Sequence, residues 1–115
     1  MSDLTKAQLS ARILEHIGVK SAADGARAED DALVQEAIDA AHERLQKYGL
    51  VPFATSAIPP WAQLDLRDYV AGEIVQAFGL GGDPKWEAKA SKAERELARQ
   101  IAGFRHNLPI VTEYF

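Results

Sequence analysis

Apolar positions recur along the chain every third or fourth residue, the period of a helix face turned toward a core. Leu9, Ile13 and Ile17 form the first such series. Thr5 and Gln8 are spaced as a reciprocal capping box ahead of it, and Leu4 is positioned to staple onto Leu9. Gly18 follows, where a left-handed C-terminal cap is wanted. A helix is therefore expected over residues 6–17. The stretch 20–28 is small and polar with Gly25 inside it, and predicts a loop. Glu29, Asp30 and Asp31 then supply the negative charge that a helix N-terminus favours. Val34, Ile38, Ala41, Leu45 and Tyr48 follow in a four-three-four-three series closed by Gly49, which predicts a second helix over 30–48.

Pro52, Pro59 and Pro60 exclude a helix from 50–60, where Leu50-Val51-Pro52-Phe53 reads as a short edge strand within an ordered loop. Pro60 suits the first turn of a third helix. Trp61, Leu64, Tyr69, Val70, Ile74 and Phe78 give that helix a broad apolar surface as far as Gly79, so it is expected to be central. Gly72 inside it costs about 1 kcal/mol relative to Ala and is explained if a neighbouring helix approaches closely there. Gly79-Leu80-Gly81-Gly82 breaks the chain, and Asp83-Pro84 supplies an N-cap with Pro at the first helical position. A fourth helix then carries Trp86, Ala90, Ala93, Leu97, Ile101 and Phe104 to about Arg105, before Asn107-Leu108-Pro109 stops it. The fold expected is all-α: a small four-helix bundle over 1–107, with an extended C-terminal arm over 108–115. Within that arm Ile110, Val111, Tyr114 and Phe115 are β-branched or aromatic and have no hairpin partner.

Composition narrows the function classes. The 115 residues are 47% hydrophobic and 26% charged, the balance of one ordinary globular domain. There is no cysteine, which excludes disulfides and thiolate metal sites. The opening Met1-Ser2-Asp3 is no signal peptide, and no apolar run approaches the roughly 20 residues of a membrane span, so neither export nor a membrane partner is expected. A net charge of −4 argues against the basic footprint of a nucleic-acid binder, although an acidic surface also suits DNA that must slide past without sticking.

Candidate chemistry is sparse. The run Gly79 to Lys85 lacks the Gly-Lys-Ser/Thr ending of a phosphate-binding loop and no strand leads into it. Asp39 and His42 are half of an acidic-x-x-His metal motif whose other half is missing, so a solvated face with Glu36 and Glu43 is the stronger reading. His16 and His106 lie near helix C-termini, where the dipole favours an imidazolium. Neither has a nucleophile beside it. No catalytic, cofactor or metal site is expected, and the chain is not read as an enzyme. Trp61 and Trp86 are read as core or interface anchors, because no basic cluster is interleaved with them. The candidate functional residues are those of the arm: Leu108, Pro109, Ile110, Val111, Glu113, Tyr114 and Phe115, which suit strand addition to an open sheet edge or pockets for alternate side chains.

Several segments in order carry a resemblance. They are the opening helix ending Ile17-Gly18-Val19, the acidic helix ending Tyr48-Gly49-Leu50, the Ala57-Ile58-Pro59-Pro60 turn, the helix from Leu66 to Leu80, and the closing Pro109-Ile110-Val111-Thr112-Glu113-Tyr114-Phe115. The chain resembles the head-to-tail connector (adaptor) proteins of tailed double-stranded DNA phages, a group that includes packaged-DNA stabilisation proteins and gene transfer agent adaptors. The resemblance implies a non-enzymatic component without cofactors. Copies would form a ring beneath the portal protein, continue the DNA channel without binding DNA specifically, and offer a platform to the next neck, stopper or tail protein. Its place would be the neck of the virion, assembled in the host cytoplasm. Podophage members carry a longer C-terminal extension, so the arm here looks like the shorter version. A small helical DNA-binding regulator is the alternative, for which Lys85, Lys89, Lys92, Arg95, Arg99 and Arg105 of the fourth helix are the candidate basic face. Glu87, Glu94 and Glu96 interrupt that series.

Overall fold

The computed structural model describes residues 2–19 and 28–106. The described residues form an all-α fold of four helices: α1 (Lys6–His16), α2 (Ala28–Lys47), α3 (Pro60–Ile74) and α4 (Lys85–His106), with a 3-10 turn over Val75–Phe78 extending α3. The expected N-terminal capping box is present, with the Thr5 side chain accepting from the Gln8 amide at 3.2 Å and the Gln8 side chain accepting from Thr5 N at 2.9 Å.

Three of the helical segments end in the same way. Gly18, Gly49 and Gly79 have φ of 83°, 73° and 74°. At each, the glycine amide donates three residues back and the next amide donates five residues back: Val19 to Leu14, Leu50 to Leu45, Leu80 to Val75. This is the Schellman arrangement, which satisfies the carbonyls that a helix end would otherwise orphan. It also explains why α2 stops one residue before the expected end. Tyr48 occupies the turn, swings off the apolar stripe and is 65% exposed, while Leu50 packs back on the core in its place.

α3 is central, packing on each of the other helices and most extensively on α4. Leu9, Ile13, Leu14, Val34, Ile38, Leu45, Leu66, Val70 and Leu97 are fully buried around it. Gly72 has the expected role. A Cβ there would lie 2.5 Å from Ala90 Cβ and 3.0 Å from the Trp86 carbonyl oxygen, so the backbones of α3 and α4 approach as closely as they do only because that position is bare.

The edge strand expected over 50–53 does not form; no strand occurs among the described residues. The extended pairing present is a single antiparallel bridge between Leu4 and Ile58, closed by Leu4 N to Ile58 O at 2.9 Å and Ile58 N to Leu4 O at 2.8 Å. Buried Gln63 locks it from α3, donating to the carbonyls of Ser2 (2.8 Å) and Ile58 (3.0 Å). Prolines at 52 and 59 leave too few donors for a ladder, so the loop is held by this clamp instead.

Candidate functional site

The arm residues Leu108, Pro109, Ile110, Val111, Glu113, Tyr114 and Phe115 lie outside the described residues, which end at the last turn of α4. The surface at that end of α4 is described. Phe104 stands edge-on to Trp61 with ring centroids 5.0 Å apart, Trp61 edge-on to Phe53 at 5.7 Å, and Phe53 tilted against His42 at 6.1 Å. The His42 ring fixes the inner end by donating from Nε2 to the Phe53 carbonyl at 2.6 Å. The outer end is open: Phe104 is 45% exposed, and Leu64, one turn along α3 from Trp61, is 57% exposed. An apolar patch of Trp61, Leu64 and Phe104 therefore sits where α4 hands over to the arm.

Both Leu64 and Phe104 were expected in the core. Leu64 is two residues from Leu66, about 200° around the helix, so burial of Leu66 at the centre of the stripe turns Leu64 outward. That angle is readable in the sequence once Ala62, Leu66, Tyr69, Val70 and Ile74 are taken as the buried series.

A second cluster surrounds His16. Its ring meets Trp86 edge-on at 5.5 Å, and Lys85 and Lys89 Nζ lie 4.9 and 5.6 Å from the Trp86 ring centre. His16 Nε2 is buried and 3.2 Å from Asp68 Oδ1, but out of hydrogen-bonding geometry, since Asp68 is held by Nε and Nη2 of Arg67. Burial first, then the Arg67 charge, lowers the His16 pKa against the pull of Asp68. The dipole at the end of α1 favours an imidazolium, but α1 ends against α3 and α4, and desolvation there works against the charged form. Arg12, Glu15, His16 and Arg67 line an open cleft of about 520 Å³ here. Among the described residues no serine or threonine lines it to act as a nucleophile.

The Asp39–His42 pair is divided between other partners. Asp39 takes an ion pair from Lys6 at 3.0 Å, and His42 is committed to Phe53. His42 is thus half-buried and structural, unlike the solvated face expected of it. Among the described residues no three His, Cys, Asp or Glu side chains gather in a way that could hold a metal ion. No helix among them is long and apolar enough to cross a membrane.

The exposed face of α4 differs from its linear sequence. Lys85, Lys92 and Arg99 recur every seventh residue; Lys92, Arg99 and neighbouring Arg95 lie on the side away from buried Trp86, Ala93, Leu97 and Ile101, whereas Lys85 turns its Nζ over the Trp86 ring and pairs with Asp83 at 3.7 Å. Glu87 and Glu94 fall on one flank and Glu96 on the other. The acids that interrupt the sequence therefore border a basic stripe. Comparison of the chain with protein-family models, with characterised proteins and with solved structures gives no match.

Proposed function

We propose that the chain is a structural head-to-tail connector (adaptor) of a tailed phage or phage-like particle, whose copies form a ring beneath the portal and offer a platform to the next neck or tail protein. The observation that carries this reading is the apolar patch of Trp61, Leu64 and Phe104 at the root of an apolar, aromatic arm. A docking element needs large, rigid apolar side chains at low entropy cost, and aromatic anchors provide them. The arm, from Leu108 to Phe115, seats on the portal or a neighbouring subunit, with Tyr114 and Phe115 as anchors.

The test is deletion of Thr112 to Phe115. Truncated protein keeps its melting temperature and helicity in isolation but no longer attaches to DNA-filled heads. Unfolding of the truncated chain, or attachment without the segment, refutes the docking role. The alternative, a small helical DNA-binding regulator, draws on the basic stripe of α4. A salt-dependent gel shift with duplex DNA separates it: a regulator retards the duplex at low salt, whereas a connector of net charge −4 leaves it free.

A further inference from the structure

The basic stripe of α4 has a counterpart on α2. Glu29, Glu36 and Glu43 are exposed, recur every seventh residue, and lie opposite the face that buries Val34, Ile38, Ala41 and Leu45. At 1.5 Å per residue each triplet spans about 21 Å with charges about 10.5 Å apart, so Glu29-Glu36-Glu43 and Lys85-Lys92-Arg99 are equal in length and in step. Among the described residues Glu29, Glu36 and Glu43 have no ion-pair or hydrogen-bond partner, nor have Lys92 and Arg95, whereas Lys85 pairs with Asp83 at 3.7 Å and Arg99 with Glu96 at 2.8 Å. Small residues lie between the charges: Ala32 and Ala40 on α2, Ala88 and Ser91 on α4. Leu33, 39% exposed, adds apolar surface to the acidic face.

The two faces cannot neutralise each other within one molecule, because each points away from the core on a helix fixed by its buried side. We infer that they meet between copies: the acidic outer face of α2 on one molecule docks on the basic outer face of α4 on the next. Low side chains between the charges allow the helix axes to close to about 8–10 Å. Charge complementarity of this kind sets partner and register more than raw affinity. The contact uses two different surfaces. Engaged on separate partners, they make a head-to-tail contact that propagates into a ring or a filament, whereas a two-fold dimer pairs both faces with a single partner. Closure as a ring rests on the connector reading above, whereas the pairing of faces rests on charge and spacing.

Duplex DNA is the competing occupant of the basic stripe. It is disfavoured because an acidic face of matching spacing exists on the same chain and the net charge is −4.

The absence of cysteine makes the test direct. Glu36 and Lys92 are the middle members of their triplets and face each other whether the helices run parallel or antiparallel. A chain carrying both E36C and K92C, at about millimolar concentration and low salt, gives a ladder of disulfide-linked multimers under mild oxidation, whereas E36C alone and K92C alone stay monomeric. Raising salt to about 0.5 M, where the screening length is only a few ångström, reduces the ladder about tenfold. In sedimentation, E36K/E43K and K92E/R95E each remain monomeric and an equimolar mixture of the two associates. No ladder, a two-fold dimer from E36C alone, or loss of the ladder to competing duplex DNA overturns the inference. The connector reading is scored separately. Failure of the ladder with normal attachment of native protein to DNA-filled heads refutes this interface alone, and a ladder from protein that never attaches to heads refutes the connector alone.

Discussion

Replacing Gly72 by alanine pits two effects of opposite sign against each other. Mid-helix, the change stabilises by about 1 kcal/mol, because glycine loses more backbone freedom on folding. Here the new Cβ would stand 2.5 Å from Ala90 Cβ and 3.0 Å from the Trp86 carbonyl oxygen. Ordinary carbon contacts are about 3.5–4.0 Å, so α4 must retreat by about 1 Å. Neither opposing atom is the far end of a flexible side chain, and the retreat loosens Trp86, Ala93 and Leu97 along with it. Overpacking costs of about 1–3 kcal/mol apply, toward the upper end. The expected net effect of Gly72→Ala is a destabilisation of about 1–2 kcal/mol, or a melting temperature lower by roughly 4–15 °C. Gly103, on α4 with nothing within 4 Å of its Cβ position, is the control, and Gly103→Ala raises stability by about 0.5–1 kcal/mol. Urea denaturation of both variants, with G72A/A90G as a third, measures the contact: the double variant recovers at least about 1 kcal/mol relative to the sum of its parts. If Gly72→Ala stabilises as Gly103→Ala does, the close approach of α3 and α4 is wrong.

Ile74→Ala, at a side chain of the central helix only 6% exposed, costs about 2–5 kcal/mol by urea melt, while Glu43→Ala on the outer face of α2 stays within about 0.5 kcal/mol of the parent. Burial and Arg67 hold the His16 pKa below 6.5, so the unfolded chain takes the proton more readily than the folded one. The contribution of His16 is complete above about pH 6.5 and lost as pH falls through the folded pKa; His16→Phe flattens that part of a stability-versus-pH curve, and an unchanged slope counts against a buried neutral ring. Gln63→Ala leaves the Ser2 carbonyl without its donor and costs about 1–3 kcal/mol, with earlier proteolysis of the first residues as the second readout.

The parts of the fold legible in the sequence are those whose cause is local. The Thr5–Gln8 box, the glycine ends at 18, 49 and 79 and the Pro60 start each depend on residues within one turn, and the helix bounds lie within two residues of those expected except at the end of α3, where the last four residues before Gly79 form a 3-10 turn. Gly72 was legible as an anomaly, because glycine inside a strong helical pattern needs a tertiary reason. The Leu4–Ile58 bridge was not, since it joins positions 54 apart through two single residues that carry no strand pattern. Tyr48 shows a further limit: counting spacing extends a stripe through the residue before a C-terminal glycine, although the turn rotates that residue off the helix face. For the candidate surfaces, the aromatic content of Trp61 and Phe104 was visible, but which apolar residues stay uncovered depends on packing. The basic stripe was hidden because Glu87 and Glu94 are about a quarter turn from it in space, while Glu96, beside it, is taken up by Arg99.

The bridge between Leu4 and Ile58 orders how the molecule opens. With Gln63 clamped to Ser2 and Ile58, separating α1 from the bundle requires the loop before α3 and the first turn of α3 to release together. Among the described residues the end of α4 has no such tie, its last described contact being Phe104 on Trp61. Amide exchange will therefore be graded, with Leu4, Ile58 and the Pro60 end of α3 sharing one opening free energy as a single cooperative unit. The final turn of α4 exchanges through smaller and faster fluctuations. A molecule built this way can rework the surface around Phe104 without loosening the pairing of Leu4 with Ile58.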